Sequence, residues 1–212
     1  MKKSVNFKTM YKNKFNLRKL VAIATCLAVT AMFSGCKKDN GGGDDPDDPN
    51  VPGGTSSQTF KIKQATIVYD VLGGEYQWTV RFDDNGKKFR LDEDYDFGNI
   101  YILDEDAKKA YKLDKSSKKY EEIALSAGQA KRKDFVMTDY TAAGYTKTTE
   151  TVAGKSCTVY TGTSGSTTAA YGGWEGIQLL IKLNGADVRR AVSLSETVMA
   201  NSFTIPSDYT KK

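Results

Sequence analysis

The sequence predicts a mainly β domain of antiparallel strands with one or a few short helices. Apolar and polar residues alternate with a period of two over several segments after residue 75, as they do in a strand with one buried face. Asn-Gly pairs and short acidic or serine-rich clusters separate these segments, and Asn and Gly accept the positive φ that tight hairpins need. Only residues 124–145 interrupt the pattern.

The first half of the domain is predicted to be a meander. Its clearest strand begins at Tyr76 and carries its apolar face on Tyr76, Trp78, Val80 and Phe82, and the Asn85-Gly86 pair supplies the turn that follows. Further strands are expected at Phe89 to Leu91, Asn99 to Leu103, Ala110 to Leu113 and Lys119 to Ile123. Short turns join each of these to the next, which is typical of neighbouring antiparallel strands.

A short helix and three strands are expected next. The helix is expected within residues 124–145, where its candidates are Ala127, Gln129, Ala130, Lys131, Arg132, Phe135, Val136 and Met137. The strand pattern then returns at Thr146 to Val152, Ser156 to Thr161 and Ser166 to Tyr171.

The last hairpin has the most regular alternation. Its first strand places Ile177, Leu179, Ile181 and Leu183 on one face, and Asn184-Gly185 forms the turn. The second strand is expected to return with its own apolar face on Val188, Val192 and Leu194. A tail with Phe203, Ile205 and Pro206 is expected to close the domain.

Residues 1–35 are predicted to be a signal peptide that is removed on export. A basic stretch ending in Arg18 and Lys19 precedes the apolar run Leu20 to Phe33, which is the order found in a secretory signal. This run has 14 residues, whereas a helix that spans a bilayer needs about 20, so cleavage is favoured over a permanent membrane helix. Translation starts at Met1 or at Met10, since either opens a basic leader.

The tetrapeptide Phe33-Ser34-Gly35-Cys36 resembles the lipobox of bacterial lipoproteins. The resemblance implies cleavage between Gly35 and Cys36 and attachment of diacylglycerol to the Cys36 thiol. Anchoring becomes stable when more than one acyl chain is buried, at about 0.8 kcal/mol per CH₂. Residues 36–57 are then the lipidated cysteine and a disordered Gly-, Pro- and Asp-rich linker, and residues 58–212 are a single β-rich domain.

The acidic stretch of this linker resembles the surface-export signals of Bacteroidetes lipoproteins, although Lys37 and Lys38 come before it. An acidic linker is equally what a solvated spacer looks like. The expected location is therefore the cell envelope, lipid-anchored at the outer membrane, with the periplasmic face and the cell surface both open.

Three short motifs stand out within the domain: Tyr111-Lys112-Leu113-Asp114 followed by Tyr120, Ala153 to Tyr160, and Phe203 to Tyr209. Together they resemble a family of exported bacterial proteins related to the outer-membrane lipoprotein carriers, over most of residues 60–209. The resemblance implies a strongly curved antiparallel sheet, a half-open barrel with one or a few short helices on its concave side. In the carriers that side holds acyl chains. No catalytic residue is implied.

Composition argues against several classes of function. Seven of the 31 Lys and Arg residues lie in the first 35 residues, which leaves 24 basic against 26 acidic residues after them, so nucleic-acid binding is not expected. The chain has no histidine, which removes the commonest general base and excludes Ser–His and Cys–His catalysis. Cys157 is the only cysteine of the folded domain, so neither a disulfide nor a zinc cluster is expected there.

Two polar features were weighed as sites and are interpreted as structural. The segment Asp92 to Gly98 alternates carboxylates before a glycine, but it has Phe97 and Leu103 where the sixth and twelfth positions of a calcium loop need glycine and glutamate. It is interpreted as a solvated acidic connection between strands. Cys157 has only Lys155 as a cationic neighbour in sequence, which favours a buried structural thiol. No metal or cofactor is predicted.

Trp78 and Trp174 are the candidates for a ligand cavity. Trp174 lies within Gly172-Gly173-Trp174-Glu175-Gly176, where the glycines remove local packing partners and let the chain bend sharply. Each tryptophan either plugs the core or lines the mouth of a ligand site.

These features favour a non-catalytic, membrane-anchored envelope lipoprotein that binds a lipid or another hydrophobic ligand in a half-barrel. The alternative is an envelope structural or interaction lipoprotein without a small-molecule ligand. A carboxylate-based hydrolase is less favoured, because the spacing of the acidic residues offers no catalytic pair. The predicted partners are the membrane, through the anchor, and a lipid or acyl chain; a protein partner is not indicated.

Overall fold

The computed structural model describes residues 60–95 and 97–212, which form one twelve-stranded sheet and one α-helix. The predicted signal peptide, the cleavage site at Gly35 and Cys36, and the linker lie outside the described residues. In the part that is described, no helix has both the length and the apolar character needed to cross a bilayer.

The strands follow one another along the chain with short connections. They are β1 (Ala65–Val71), β2 (Tyr76–Asp83), β3 (Lys88–Asp94), β4 (Asn99–Asp104), β5 (Lys109–Asp114), β6 (Lys119–Ile123), β7 (Thr146–Val152), β8 (Lys155–Ser164), β9 (Thr167–Trp174), β10 (Ile177–Leu183), β11 (Ala186–Ser195) and β12 (Thr210–Lys211). The helix α1 (Leu125–Lys133) lies between β6 and β7.

The sheet is open, with β12 at one edge and β7 at the other, in the order β12-β6-β5-β4-β3-β2-β1-β11-β10-β9-β8-β7. Two antiparallel meanders, β1 to β6 and β7 to β11, are joined where β1 pairs with β11. Only β12 pairs in parallel, with β6. The predicted mainly β, antiparallel fold with a short helix is therefore confirmed as one large sheet that does not close into a barrel.

Besides the two-residue β12, the strand that the sequence did not predict is the central strand β1. Its buried residues alternate, with Ala65, Ile67, Tyr69 and Val71 on one face. Val68, on the opposite face, is also apolar and half-buried, so the alternation of hydrophobicity is weak in this strand. Central strands covered on both faces lose the period of two that marks a half-exposed strand.

One face of the sheet, here called the helix-covered face, carries the main core beneath α1. Gly128 brings the helix close to the sheet, because a Cβ atom there would lie 2.8 Å from the Ala110 Cβ and 3.2 Å from Leu103 Cδ1. The largest fully buried side chains on and around this face are those of Phe60, Ile67, Tyr69, Phe82, Phe89, Leu91, Leu103, Phe135, Ile177 and Leu179.

The opposite face of the first meander is covered by the C-terminal segment. Phe203, Ile205 and Tyr209 pack there against a second cluster formed by Ile100, Ile102 and Leu113. The predicted role of the tail in closing the domain is thus confirmed for Phe203 and Ile205.

Residues 135–137 do not belong to the helix that their apolar character suggested. Phe135 lies in the turn after α1, and Val136 pairs with the sheet. Val136 forms an isolated antiparallel bridge with Ile177, the Phe135 carbonyl oxygen accepts from the backbone N–H of Gln178, and the Met137 N–H donates to Gly176. The apolar residues of this segment face the sheet because the segment pairs with the start of β10. In a short apolar run, the sequence pattern does not distinguish such pairing from a buried helix.

The apolar residues expected on β11 reach the core only in part, because Leu194 packs against it opposite Ile67 and Val192 does not. Arg189 and Ala191 are buried, whereas Val192 is 46% exposed. The pairing of β10 with β11 shifts register between Ile181 and Lys182, so one strand carries an extra residue. A β-bulge of this kind moves the following side chains to the other face of the sheet.

The acidic segment Asp92 to Gly98 is the predicted connection between strands only in its second part, where Phe97 is 80% exposed, and its first part belongs to a strand. Asp92, Glu93 and Asp94 belong to β3, and Glu93 is buried. Its carboxylate accepts from the Tyr95 hydroxyl at 3.0 Å and from the Asn99 backbone N–H at 3.3 Å, which compensates for the lost water.

Candidate functional site

Phe135 lies at the centre of the helix-covered face and contacts aromatic side chains from three elements of the sheet. The ring centroids of Tyr69, Phe89 and Trp78 are 5.4, 5.9 and 6.2 Å from that of Phe135. Tyr69 is on β1, Trp78 on β2 and Phe89 on β3, so one residue from outside the sheet covers three adjacent strands. The segment after α1 therefore fills the space over the middle of the sheet.

Arg189 brings a positive charge into this aromatic cluster. Its Cζ atom lies 4.2 Å from the Phe135 ring centroid and 5.5 Å from that of Tyr69. Its Nη2 donates to the Asp134 carbonyl oxygen at 2.6 Å and to the side-chain oxygen of Gln178. Stacking on aromatic faces and forked hydrogen bonding are properties of a guanidinium that a lysine lacks.

The hydrogen-bond acceptors around the charged Arg189 guanidinium are neutral oxygens. Within the described residues no carboxylate forms an ion pair with it, and its Nε is buried without a hydrogen-bond partner. Burial lowers the pKa of the guanidinium, and the nearby Tyr69 and Asp134 act in the opposite direction. Burial also raises the pKa of the Asp134 carboxyl, which Arg189 and Lys131 oppose. Burying an arginine without a paired anion carries a desolvation cost of several kcal/mol.

Polar contacts attach α1 to the sheet. Arg132 Nη1 lies 2.9 Å from Glu105 Oε2 and donates to the Gly86 carbonyl oxygen at 3.0 Å. Gln129 donates to Glu105 at 2.8 Å. Gly128 and Arg132 are the buried residues of the helix, so α1 contributes little apolar area to the core.

Trp78, predicted as a cavity candidate, lies in the Phe135 cluster. It stands opposite Tyr69 across β1 and β2, and it is partly buried against the main core. Its indole Nε1 is buried without a partner, which is uncommon for a tryptophan in a core.

Trp174, the second candidate, lies at the end of β9 and is also partly buried against the core. It pairs with Ile177, and the Lys155 Nζ atom stands 4.2 Å from its ring centroid. No ring contact joins it to Trp78 among the residues described. The two tryptophans therefore pack against the same main core without contacting each other through their rings.

The glycines before Trp174 serve close packing, and the sharp bend comes after it. Gly173 lies under Met137, whose Cγ would be 2.3 Å from a Cβ at that position, and Gly172 lies against Leu180. The positive φ values of 49° and 77° occur at Glu175 and Gly176, which form the turn into β10. Sequence reasoning assigned the bend to the whole glycine-rich stretch.

Polar contacts also link β7 to strands that are distant from it in the sheet. Glu150 on β7 contacts Lys182 on β10 and Arg190 on β11, each at 2.8 Å. Arg190 Nη2 also donates to the Thr151 carbonyl oxygen at 3.3 Å. In sheet order, three strands separate β7 from β11.

Four tyrosines form a second aromatic cluster, on β8, β9 and the connection between α1 and β7. Tyr140 is stacked on Tyr171, with centroids 4.8 Å apart and an interplanar angle of 23°. Its centroid lies 5.2 Å from that of Tyr145 and 6.0 Å from that of Tyr160. All but Tyr160 keep part of their surface exposed. No local pattern in the sequence connects these residues, since Tyr160 and Tyr171 meet through the pairing of β8 with β9 and the other two come from the segment before β7.

Cys157 is a fully buried free thiol, as expected for a structural cysteine. Burial raises its pKa, so the reactive thiolate is disfavoured. The described residues contain no group of three or more acidic, cysteine or histidine side chains that could hold a metal ion.

Comparisons with protein-family models and with curated proteins find no match to this chain.

Proposed function

We propose that this chain is the precursor of a bacterial lipoprotein, anchored in the cell envelope through Cys36, whose domain binds a lipid or another apolar ligand and catalyses no reaction. The ligand would lie on the helix-covered face, in the space that Phe135 occupies. The observation that carries the proposal is that a single short segment outside the sheet covers the aromatic side chains of β1, β2 and β3. Displacing that segment would expose a continuous apolar surface.

The attachment of α1 supports such a displacement. Its contacts with Glu105 and with the Gly86 carbonyl are polar. Water or a ligand headgroup can replace each bond of the Arg132 guanidinium at a net cost of about 1.5–3 kcal/mol and the Gln129 bond at a similar or smaller cost. Displacing Phe135 would expose its apolar side chain and the aromatic rings beneath it. An apolar ligand in its place would bury those rings again, and this burial stabilises the complex by roughly 25 cal/mol per Å². The segment 125–137 would then act as the movable cover of the site.

We further propose that the sheet is strongly curved, as a half-open barrel with α1 on its concave side. The contacts of Glu150 support the curvature of β7 to β11, where Arg190 alternates with Arg189 and therefore lies on the face opposite Phe135. Adjacent strands lie about 4.8 Å apart, so β7 and β11 would be roughly 19 Å apart in a flat sheet. The Glu150 and Arg190 side chains together cannot reach across that distance, yet their charged atoms lie 2.8 Å apart.

The presence of a bound lipid is tested by native mass spectrometry of the full chain, purified from membranes in a mild non-ionic detergent. The expected result is a lipid that organic solvent removes, in addition to the acyl chains that remain covalently attached at Cys36. Equilibrium binding of a fluorescent fatty acid is measured in parallel for Phe135→Ala, which enlarges the proposed site.

Phe203→Ala is the matched control, since Phe203 packs on the opposite face of the sheet. We expect Phe135→Ala to bind the fluorescent fatty acid several-fold more tightly than the unaltered chain, and Phe203→Ala to bind it equally. Absence of extractable lipid together with identical binding by both variants would show that this face is only a core.

The anchor is tested independently of the ligand. In cells fed with labelled palmitate, the unaltered chain is expected to incorporate label and to sediment with membranes, whereas Cys36→Ser should do neither. Incorporation of label into Cys36→Ser would overturn the assignment of the lipid to this residue.

A second candidate function is that of an envelope interaction protein without a small ligand, and the tyrosine cluster favours it. Tyr140, Tyr145 and Tyr171 present partly exposed rings next to one another. Tyrosine is enriched in protein interfaces because its ring supplies apolar area and its hydroxyl a hydrogen bond. Crosslinking in intact cells that recovers one defined partner, and loses it in Tyr140→Ser, would favour this function.

A further inference from the structure

A polar cleft lies on the face of the sheet opposite α1. Arg81 on β2 and Arg90 on β3 stand directly opposite each other in the register of these strands. Their neighbours Val80, Phe82 and Phe89 are buried in the helix-covered core, so alternation puts both arginines on the other face. The cleft has a volume of about 200 Å³ and is lined by Arg81, Arg90, Met199, Asn201, Ser202, Thr204 and Pro206.

The cleft has an excess of positive charge. Two like charges directly opposite each other on neighbouring strands destabilise the pair unless something compensates them. Asp92 is the carboxylate that ion-pairs with both, at 2.9 Å from Arg90 Nε and in contact with Arg81 Nη1. One negative charge thus serves two arginines whose side chains are only 20% and 14% exposed.

Hydrogen-bond donors in the cleft outnumber the acceptors that the protein provides. Arg81 donates to Asp92, and Arg90 donates to Asp92 and, through Nη1 at 3.0 Å, to the Ser202 carbonyl oxygen. Each guanidinium has further N–H donors in its planar fork. The Ser202 hydroxyl is buried and has no partner, although the residue lines the cleft.

We infer that this cleft binds a small oxyanion, namely a phosphate or a carboxylate group. Guanidinium groups bind the oxygens of such anions in pairs through parallel N–H donors, and these charge-assisted bonds are roughly twice as strong as neutral ones. The anion supplies the second negative charge between Arg81 and Arg90, and an anion oxygen accepts from the Ser202 hydroxyl. The C-terminal segment, which crosses the arginines at residues 199–206, forms the wall of the site.

The inference does not depend on the proposed lipid site. The cleft lies on the other face of the sheet and shares none of the side chains around Phe135. A failure to find bound lipid would leave it unaffected, and a failure to find anion binding would leave the lipid proposal unaffected.

The test is isothermal titration calorimetry on the purified full chain in a neutral maltoside detergent. The probes are inorganic phosphate and acetate, each compared with chloride at constant ionic strength. We expect a saturable heat for at least one oxyanion and none for chloride. Stronger binding of phosphate identifies a phosphate group as the natural ligand chemistry, and stronger binding of acetate identifies a carboxylate. If neither oxyanion binds beyond chloride, the inference is overturned.

Two variants and one control locate the binding. Arg81→Gln is expected to weaken the affinity tenfold or more, and Ser202→Ala several-fold. Ser202→Ala retains the carbonyl oxygen that Arg90 uses and removes a hydroxyl without a partner, so it should fold even if Arg81→Gln does not. Arg190→Gln, a half-exposed arginine paired with Glu150, should leave the affinity unchanged. Equal affinity of Ser202→Ala and the unaltered chain would place the ion elsewhere.

Discussion

At the residue scale, Arg189 shows how a strongly polar side chain can belong to an apolar core. Its guanidinium lies over the Phe135 ring, with Cζ 4.2 Å from the ring centroid, and donates to the Asp134 carbonyl oxygen and to Gln178. An arginine tolerates this environment better than a lysine would, because its charge is delocalised and more weakly hydrated. Arg189 thereby connects the segment after α1 to β10 and β11.

We predict that Arg189→Lys destabilises the domain by about 2 kcal/mol, because the ammonium loses the aromatic stacking and is more costly to bury. Arg190→Lys is the matched control on the same strand, where a half-exposed ion pair is retained and the change should be about 0.5 kcal/mol or less. Urea unfolding followed by tryptophan fluorescence measures both. Equal losses for the two variants would contradict the role given to Arg189.

The ion pairs of Glu150 should make the stability of the domain depend on pH. Burial disfavours its ionised form, but hydrogen bonds from Lys182 and Arg190 outweigh that effect and hold the pKa of the carboxyl below 4.5. A carboxyl whose pKa is depressed on folding stabilises the fold above its unfolded pKa, and this contribution is lost as the pH falls through the folded pKa.

We therefore expect the unaltered chain to be more stable than Glu150→Gln at pH 7, and the difference between them to shrink below about pH 4.5. Chemical unfolding at several pH values between 7 and 3 measures this difference. Glu175→Gln, in the exposed turn after β9, controls for the loss of one negative charge. A difference that is independent of pH would show that the ion pairs contribute nothing to stability.

At the scale of elements, α1 is positioned by the absence of a side chain at Gly128. Alanine normally stabilises a helix relative to glycine by about 1 kcal/mol. Here its methyl group would meet Ala110 and Leu103, both on the rigid sheet. The packing penalty for an added methyl in a filled core is about 1–3 kcal/mol, so packing outweighs propensity.

Gly128→Ala is thus expected to destabilise the domain, against the usual sign for a helix. Ser126→Ala is the control, because Ser126 is exposed in the same helix and alanine propensity acts there unopposed. Thermal unfolding should show a lower Tm for Gly128→Ala and an equal or higher Tm for Ser126→Ala. A rise in Tm for Gly128→Ala would mean that the helix can move away from the sheet without cost.

The C-terminal segment provides a second prediction at this scale. Tyr209 is buried against Ile100, Ile102 and Leu113, and the Lys118 Nζ atom lies 4.8 Å from its ring centroid. Truncating it to alanine should cost about 3 kcal/mol. Met199→Ala, at a residue that is 68% exposed in the same segment, should change the unfolding free energy by no more than about 0.5 kcal/mol.

At the scale of the whole molecule, the sheet is most protected where its two meanders meet. The strand β1 hydrogen-bonds to β2 on one side and β11 on the other, whereas β7 has one neighbour and mostly exposed side chains. Charged and hydroxyl side chains on an exposed edge strand discourage pairing with another chain.

Amide hydrogen exchange should therefore be slowest in the central strand β1 and fast at the edge strand β7. We expect the amides of β1 to exchange only on global unfolding. The amides of β7 that face away from β8 are outside the ladder, so they should exchange from the native state, orders of magnitude faster. Mass spectrometry of peptides from the two strands measures this. Comparable protection of β1 and β7 would indicate that the β7 edge is covered by another chain.

Much of the architecture could be predicted from local pattern. Strands β2, β6, β7 and β10 begin and end where the alternation of residues predicted, because each is bounded by turn residues with positive φ or by a clear loss of periodicity. The pattern failed at β1, where Val68 interrupts the alternation, and at β10 and β11, where bulges change which residues share a face.

The candidate site was predicted only in part. Trp78 could be singled out because a tryptophan on a regular strand is conspicuous, and it does lie in the aromatic cluster. Phe135 and Arg189 could not, since the first is brought to the sheet by its pairing with β10 and the second is turned inward by the bulge. The cleft at Arg81 and Arg90 depends on the register of β2 with β3 and on a segment more than 100 residues further along the chain.

The sequence by itself predicts an export leader and a lipidation motif at Cys36, and it predicted the mainly antiparallel β fold that the structure confirms. These depend on residues close together in the chain, where charge, apolar length and turn chemistry act locally. Only the tertiary structure decided which face of β11 is buried, what covers the middle of the sheet and where two arginines share one carboxylate. Those outcomes depend on strand register and on long-range contacts, and a register shift of one residue changes every side chain that faces the core.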